Sequence, residues 1–203
     1  MFGESIFAKV TLVDEALGMS PTDPAIVKEF IASRGPDAQS MAQEIASVGE
    51  AEVYDKALTI FPKGEDGAPF WWDYQIKGAF KDICGALHRV PESKSAKLKA
   101  YKKIIDGCIF VKNRQIPINI PEGSELGRCE RSLRVSGPRG DRTALAASET
   151  VPAGSTFEFE VVCLKAELIP VVKEWLDYTQ LRGFGQWRNS GKGRSTWEEV
   201  NQG

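Results

Sequence analysis

Apolar and polar residues alternate along two stretches of the chain, as in half-buried strands. The clearer one is STFEFEVVCL, where Phe157, Phe159 and Val161 alternate with Glu158 and Glu160. A strand has this period of two because successive side chains point to opposite faces of a sheet. The stretch 5–14, SIFAKVTLVD, is β-branched and alternates in part. Both stretches are predicted to be strands.

Two other segments repeat apolar residues with the period of a helix. Over DYQIKGAFKDICGALHRV, apolar side chains recur from Ile76 to Leu87 on one face, and over AELIPVVKEWLDYTQLRG from Leu168 to Thr179, before Gly183. This spacing predicts amphipathic helices. A basic helix is predicted over SAKLKAYKKIIDG, and capping residues predict two more over 24–33 and 37–49.

The remaining segments are predicted to be short strands and turns. The Asp66-Gly67 step in ALTIFPKGEDGAPFWWDY predicts a hairpin, and CIFV and QIPINI read as strands separated by a turn at 112–114. GRCERSLRVSGPRGDRTALAASETV predicts two strands joined near Pro138 and Gly140, and a final strand is expected after residue 194.

The order of these elements predicts an α+β fold with an antiparallel sheet. It is compatible with a βαββαβ core of the ferredoxin-like, RRM-like type. At 203 residues the chain is expected to form one domain, 1–203, with a helical insertion at 20–50 and a thumb-like hairpin insertion at 108–150.

Charge is unevenly distributed along the chain. The net charge is −2 overall, but it is −7 over residues 1–93, +7 over 94–142 and −2 over 143–203. A basic middle third beside an acidic first half has two interpretations, an anion-binding face or attraction between parts of the fold.

Composition does not favour metal, secretion or membrane insertion. The four cysteines, at 84, 108, 129 and 163, form no CxxC pair, and His88 is the sole histidine. This favours reduced thiols in a cytoplasmic protein and argues against a zinc site. No apolar run reaches membrane-spanning length and no secretory signal is visible. We expect no cofactor and no metal.

The stretch GFGQWRNSGKGR combines glycines, cations and large aromatics. It is not a Walker loop, because Lys192 is followed by Gly193, and it closes a helix, unlike the dinucleotide fingerprint. Interleaved basic and aromatic residues suit single-stranded nucleic acid. The alternative is a glycine turn with core aromatics. Its candidate RNA- or phosphate-binding residues are Gly183, Phe184, Gly185, Trp187, Arg188, Gly191, Lys192, Gly193 and Arg194.

A second basic element lies in the predicted hairpin. Arg131, Arg134, Arg139 and Arg142 are candidates for gripping a phosphate backbone, and a solvated hairpin is the alternative. His88 is a weak candidate for a general base because the end of a predicted helix favours a capping role. No hydrolase or paired-carboxylate motif is present, so we do not expect an enzyme.

Three segments, YQIKGAFKDICGAL, ETVPAGSTFEFEVVCL and LRGFGQWRNSGKGR, together resemble the RAMP superfamily of CRISPR-associated proteins. Gln75-Ile76-Lys77-Gly78-Ala79 matches the family's helix start, Val151-Pro152-Ala153-Gly154 its pre-strand turn, and 183–194 its Gly-rich loop. The resemblance covers about half of the chain and is closest to backbone subunits that coat guide RNA. It implies that Lys77 and Gly78 lie near the RNA.

The resemblance implies a non-catalytic protein that binds single-stranded RNA, as a homo-oligomer or with effector subunits. The strand-1 histidine of RNA-processing relatives is absent. Two alternatives stay open: a phage-encoded relative that binds or mimics a host defence component or sequesters a nucleotide signal, and a metal-independent endoribonuclease using His88.

Overall fold

The computed structural model describes residues 3–21, 58–137 and 140–200, with side chains in the 127–151 hairpin described up to 131 and from 146. The helices predicted over 24–33 and 37–49 lie outside the described residues. The described strands are β1 Glu4–Leu12, β2 Ala16–Leu17, β3 Ser20–Pro21, β4 Leu58–Ile60, β5 Phe70–Trp72, β6 Ile109–Val111, β7 Gln115–Pro117, β8 Gly127–Gly137, β9 Gly140–Val151, β10 Thr156–Cys163 and β11 Ser195–Glu199; the α-helices are α1 Asp73–Leu87, α2 Tyr101–Cys108 and α3 Ile169–Arg182.

Four strands form an antiparallel sheet in the order β11-β1-β10-β6. β1 pairs with β10 from Glu4 opposite Cys163 to Thr11 opposite Thr156, and its other edge pairs with β11. Every second residue of β1 and β10 is buried, so the predicted alternation over 156–163 is confirmed. The α+β class with an antiparallel sheet is confirmed as well.

The helices cover the apolar face of this sheet. α1 contacts α2, α3 and β6, while α3 contacts β11 and β1. α1 begins at Asp73, whose carboxylate suits the positive end of a helix, and the Gln75 side chain accepts a hydrogen bond from the Trp72 backbone N–H at 2.9 Å. α3 has Pro170 in its first turn and ends before Gly183, as predicted. None of the described helices is long and apolar enough to cross a bilayer.

A second sheet is built around β9, which pairs with β2, with β8 and, in parallel, with β4. β8 and β9 form the long hairpin that the sequence predicts, paired from Gly127–Thr150 to Gly137–Gly140. β3 completes this sheet beside β4.

The hairpin predicted at 57–74 is only partly correct. Its turn is present, with Gly67 at φ +78° and its N–H bonded to the Gly64 carbonyl at 2.9 Å. The flanking strands, however, do not pair along their length: β4 pairs with β3 and β9, whereas β5 pairs with β7. Next to the turn Lys63 and Pro69 form an antiparallel bridge, but farther out β4 and β5 enter different sheets, where Phe70, Trp71 and Trp72 are all buried.

The four cysteines are free, and two of them are buried. Burial raises the pKa of the Cys84 and Cys163 thiols to about 11, so both stay protonated and unreactive at neutral pH. These thiols act as small apolar residues of the core.

The loop between α1 and α2 is attached to α3 through one carboxylate. Glu174 accepts hydrogen bonds from the backbone N–H groups of Lys94 (2.7 Å) and Ser95 (3.0 Å) and from the Ser95 hydroxyl (2.7 Å). The Ser95 hydroxyl in turn accepts from Trp175 Nε1 at 2.8 Å. Ser95 and Trp175 are fully buried, so the loss of this carboxylate leaves polar groups without partners.

We therefore expect Glu174→Ala to lower the free energy of unfolding by about 1–3 kcal/mol, the cost of leaving buried polar groups unsatisfied. Urea unfolding followed by tryptophan fluorescence measures it. Glu167→Ala is the control, because Glu167 is exposed and lies 3.7 Å from Lys165; it should change stability by less than about 0.5 kcal/mol. Equal effects of the two substitutions would contradict this role of Glu174.

Candidate nucleic-acid interface

The Gly-rich loop, residues 183–194, leaves α3 and folds back on itself before β11. Phe184 is 1% exposed and meets Phe157 edge-to-face with ring centroids 5.3 Å apart. The ring therefore lies in the core, where a ligand has no access to it, although the sequence placed it among the candidate binding residues. Its backbone N–H donates to the Gly193 carbonyl at 2.8 Å, which closes the loop.

Packing explains three of the loop's glycines. A Cβ on Gly183 would lie 1.9 Å from the Gly193 carbonyl carbon, and one on Gly193 would lie 1.9 Å from the Phe184 carbonyl oxygen. A Cβ on Gly185 would lie 2.8 Å from the Leu17 carbonyl oxygen. Gly185 and Gly193 also have positive φ, of +81° and +69°, which only glycine adopts without strain.

Two cations of the loop form ion pairs with the segment that follows β1. Lys192 Nζ pairs with Glu15 and Arg194 Nε donates to Asp14 Oδ2 at 2.6 Å. These hydrogen bonds raise the pKa of both cations. The Gly193 N–H also donates to the Glu15 carbonyl at 2.8 Å. Lys192 and Arg194 thus hold the loop on the fold, and their charges are largely neutralised.

Two arginines share one carboxylate beside the loop. Arg182, in the last turn of α3, donates from Nε to Asp82 Oδ2 at 2.5 Å and from Nη2 to Oδ1 at 3.2 Å. Arg188 Nε lies 3.6 Å from the same Oδ2. The hydrogen bond to Asp82 raises the pKa of Arg182, whereas burial lowers that of Arg188. Two guanidiniums beside one carboxylate leave a net positive charge.

Trp187 is the unusual residue of the loop. Its backbone is left-handed, with φ +57°, which is uncommon for a bulky residue and occurs preferentially at functional sites. The Arg131 guanidinium, reaching from β8, lies over its ring. Trp187 Nε1 and Arg131 Nε are buried and have no hydrogen-bond partner among the described residues. Buried donors of this kind are rare unless a ligand or water completes them.

Arg131, Arg182, Trp187 and Arg188 line one cleft of about 450 Å³ between the base of the hairpin and the loop. Met19 and the segment 185–190 complete its wall. Sequence reasoning found Arg131, Trp187 and Arg188 but missed Arg182. The available signal was its position in the last turn of a helix directly before a Gly-rich loop.

The other hairpin arginines are only partly described. Arg134 and Arg142 lie on facing strands, opposite Thr143 and Val135 respectively, and their side chains are not described. Arg139 lies outside the described residues. Their proposed phosphate contacts stay predictions.

The helix-start residues lie outside this cleft. Lys77 Nζ donates to the Asp106 carbonyl at 3.3 Å and lies 5.1 Å from the centroid of the Phe110 ring, and burial lowers the Lys77 pKa. Gly78 faces a different cleft, on the side of α1 and α2.

His88 caps the C-terminus of α1, and its Nε2 lies 3.2 Å from the Leu98 carbonyl oxygen. Its ring packs on Tyr101 with centroids 5.5 Å apart. These contacts match the capping and packing role that the sequence favoured. No three His, Cys, Asp or Glu side chains converge as a metal site would require, within the part of the chain that the structure describes.

No protein-family model matches the chain, and the comparison with curated proteins finds no match. Solved structures do match. A chain of the Type III-B Cmr-beta complex bound to cognate target RNA aligns with 98% of this chain at 10% identity and a TM-score of 0.50. This chain spans 60% of the length of that one.

Two more solved structures are similar, at lower TM-scores. Cmr6 from Pyrococcus furiosus aligns over 95% of this chain and 97% of its own, at 14% identity and a TM-score of 0.48. A chain of a Type IV-B CRISPR complex aligns over 98% and 93%, at 11% identity and 0.46. The resemblance to RAMP proteins that the sequence indicated is confirmed at the level of the fold by the Cmr-beta match.

The packing of Gly193 predicts a large loss of stability in Gly193→Ala. Its positive φ alone costs about 1–2 kcal/mol for an alanine, and the overlap with the Phe184 carbonyl must add to this. Gly67→Ala is the matched control, since Gly67 has φ +78° and nothing within 4 Å of an added Cβ. Urea unfolding should show Gly193→Ala losing at least about 2 kcal/mol more than the control. Equal losses would mean that the close approach of the two glycines does not constrain the loop.

Proposed function

We propose that this chain is a non-catalytic RNA-binding protein of CRISPR effector complexes, similar to their backbone subunits. It binds a single strand in the cleft between the hairpin and the Gly-rich loop. Arg131, Arg182 and Arg188 contact phosphates, and Trp187 stacks on a base. Such contacts are largely independent of base sequence.

The observation that carries the proposal is the convergence of three guanidiniums and an indole on one cleft of about 450 Å³. They come from three separate elements: β8, the end of α3 and the loop. Guanidiniums bind phosphate oxygens in a planar, bidentate geometry, and an indole offers a stacking surface to any base.

The proposal divides the Gly-rich loop into two functional parts. Residues 186–190 face the ligand, whereas Lys192, Gly193 and Arg194 fix the loop to Asp14, Glu15 and Phe184. A phosphate reaching Lys192 or Arg194 would have to compete with a carboxylate already in place. The main contribution to affinity is therefore assigned to the three cleft arginines.

We infer a ferredoxin-like core from the connectivity. α1 lies between β1 and β6 along the chain, α3 lies between β10 and β11, and the sheet order is β11-β1-β10-β6. This supports the βαββαβ arrangement predicted from the sequence. The segment between β6 and β10 carries β7 and the β8–β9 hairpin, and we assign it as the thumb-like insertion.

We propose that this chain binds the same class of partner, RNA, as the complex that contains its fold neighbour. The Type III-B Cmr-beta complex that shares the fold is bound to cognate target RNA. Assembly of this chain with effector subunits or with further copies of itself along the RNA is part of the proposal. A pull-down of co-purifying nucleic acid, followed by nuclease digestion, would identify RNA.

Substitution of Trp187 tests the stacking role. Trp187→Ala should weaken binding of single-stranded RNA by about 1–3 kcal/mol, the contribution of one stacked base, whereas Trp187→Phe should retain most of the affinity. Fluorescence anisotropy with a labelled oligouridylate at low salt measures both. Trp197→Phe is the control, because Trp197 lies in β11 outside the cleft lining and its Nε1 donates to Asp177 Oδ1 at 2.7 Å.

Substitution of Arg188 by Gln tests the phosphate contacts. It should lower the slope of log Kobs against log salt by about 0.7, one phosphate contact on a single strand. Lys173→Gln removes the same charge from an ion pair with Glu199 and should leave the slope unchanged. The proposal fails if the wild-type protein binds no single-stranded RNA at low salt. It also fails if Trp187→Ala and Arg188→Gln both bind RNA like the wild type.

A further inference from the structure

A second basic cleft, of about 580 Å³, lies between α1 and α2. α1 contributes Gly78, Lys81 and Gly85, which lie on one stripe of the helix because they are spaced by three or four residues, and Arg89 follows in the turn after the helix. Lys102 of α2 and Arg182 of α3 complete the wall. Arg182 also lines the first cleft, so the two clefts share this residue.

The charge of the second cleft is positive. It holds four cations, Lys81, Arg89, Lys102 and Arg182, and one carboxylate, Asp82, which Arg182 and Arg188 already engage. Lys81 pairs with Asp106 at 2.5 Å. Arg89 and Lys102 are exposed and form no ion pair within the described residues. Uncompensated cations in a concave surface concentrate the field that attracts a polyanion.

Gly78 leaves the α1 side of this cleft open; Gly107 in α2 also has open space around an added Cβ, so what is specific to Gly78 is its place in the cleft lining. Gly78 lies inside α1, where glycine is the least favourable residue apart from proline. Its φ is not positive, and an added Cβ would have no neighbour within 4 Å, so neither backbone conformation nor packing accounts for glycine there. A glycine over open space in a cleft lets a ligand approach the helix backbone closely. Gly85 differs, because an added Cβ would lie 2.9 Å from the Tyr101 hydroxyl.

We propose that a bound single strand continues past Arg182 into the α1–α2 cleft, where Arg89 and Lys102 contact its phosphates. The inference rests on the proposed function, because it extends the same strand from the first cleft. Arg182 contacts the strand where it passes between the clefts, and Asp82 orients that guanidinium. The strand then runs across Gly78 and Gly85.

The test is a length series of oligouridylates, from about 4 to about 16 nucleotides, the range of site sizes on single-strand binders. Wild-type affinity should rise with length until both clefts are filled. The Arg89→Gln/Lys102→Gln double variant should bind the shortest strands normally and lose the gain from longer ones. Its salt slope with long strands should fall by about 1.4, two phosphate contacts.

Two controls separate this effect from net charge and from folding. Lys165→Gln/Lys173→Gln removes the same charge from ion pairs elsewhere, with Glu167 and Glu199, and should behave like the wild type. Gly78→Gln should raise the unfolding midpoint, since glutamine favours a helix, and still weaken binding of long strands about tenfold or more. Gly107→Gln is its match, because Gly107 lies in α2 with open space around an added Cβ; it should stabilise the fold without weakening binding.

The outcomes distinguish the inference from the function on which it rests. If the double variant and Gly78→Gln bind long strands like the wild type, while short strands still require Trp187, the second cleft does not bind RNA and the first cleft does. If the wild-type protein does not bind short strands, both the further inference and the proposed function are overturned. Binding of polyglutamate that depends on Arg89 and Lys102, with RNA binding unaffected, would assign the second cleft to an acidic protein instead.

Discussion

The structure of the candidate site depends on the contact between two glycines. A Cβ on Gly183 would overlap the Gly193 carbonyl and one on Gly193 would overlap the Phe184 carbonyl oxygen, and the Phe184 N–H donates to the Gly193 carbonyl. This contact closes the loop and places Phe184 in the core beside Phe157. It also directs the middle of the loop, residues 186–190, outward beside the end of α3. The glycines are required because backbone meets backbone, and the resulting loop presents side chains that a ligand can reach.

Neighbouring carboxylates determine which cations in and around the loop are available to bind an anionic ligand. Asp14 and Glu15 follow β1 and neutralise Arg194 and Lys192, whereas Arg182 and Arg188 share the single carboxylate of Asp82. Among the residues that the structure describes, Arg131 has no carboxylate partner, and burial lowers its pKa. A net charge of −2 for the whole chain therefore says little about the local field, since charge is positive in the clefts.

Local periodicity accounts for what could be predicted from the sequence. β10, α1 and α3 are amphipathic, so their apolar positions show both the element and its buried face. Pairings between distant residues are not visible in this way. β4 joins β9 in parallel with Leu58 opposite Ala147, and no local pattern in either strand specifies this partner. The predicted hairpin at 57–74 was therefore correct at its turn, where Lys63 and Pro69 form an antiparallel bridge, and wrong farther out, where β4 and β5 pair with other strands.

The same limit applies to the candidate site. The residue types of the loop are equally typical of a phosphate-binding loop and of a packed turn, because both uses need glycines beside cations and aromatics. What distinguishes them is the group opposite each side chain. Lys192 meets Glu15, 177 residues away, and Phe184 meets Phe157, whereas Trp187 meets a guanidinium and its N–H has no partner within the described part of the chain. The loop thus contains packed residues, Phe184 and Lys192, as well as Trp187, which lines the cleft. Asp82, on α1, orients Arg182, the residue that both clefts share.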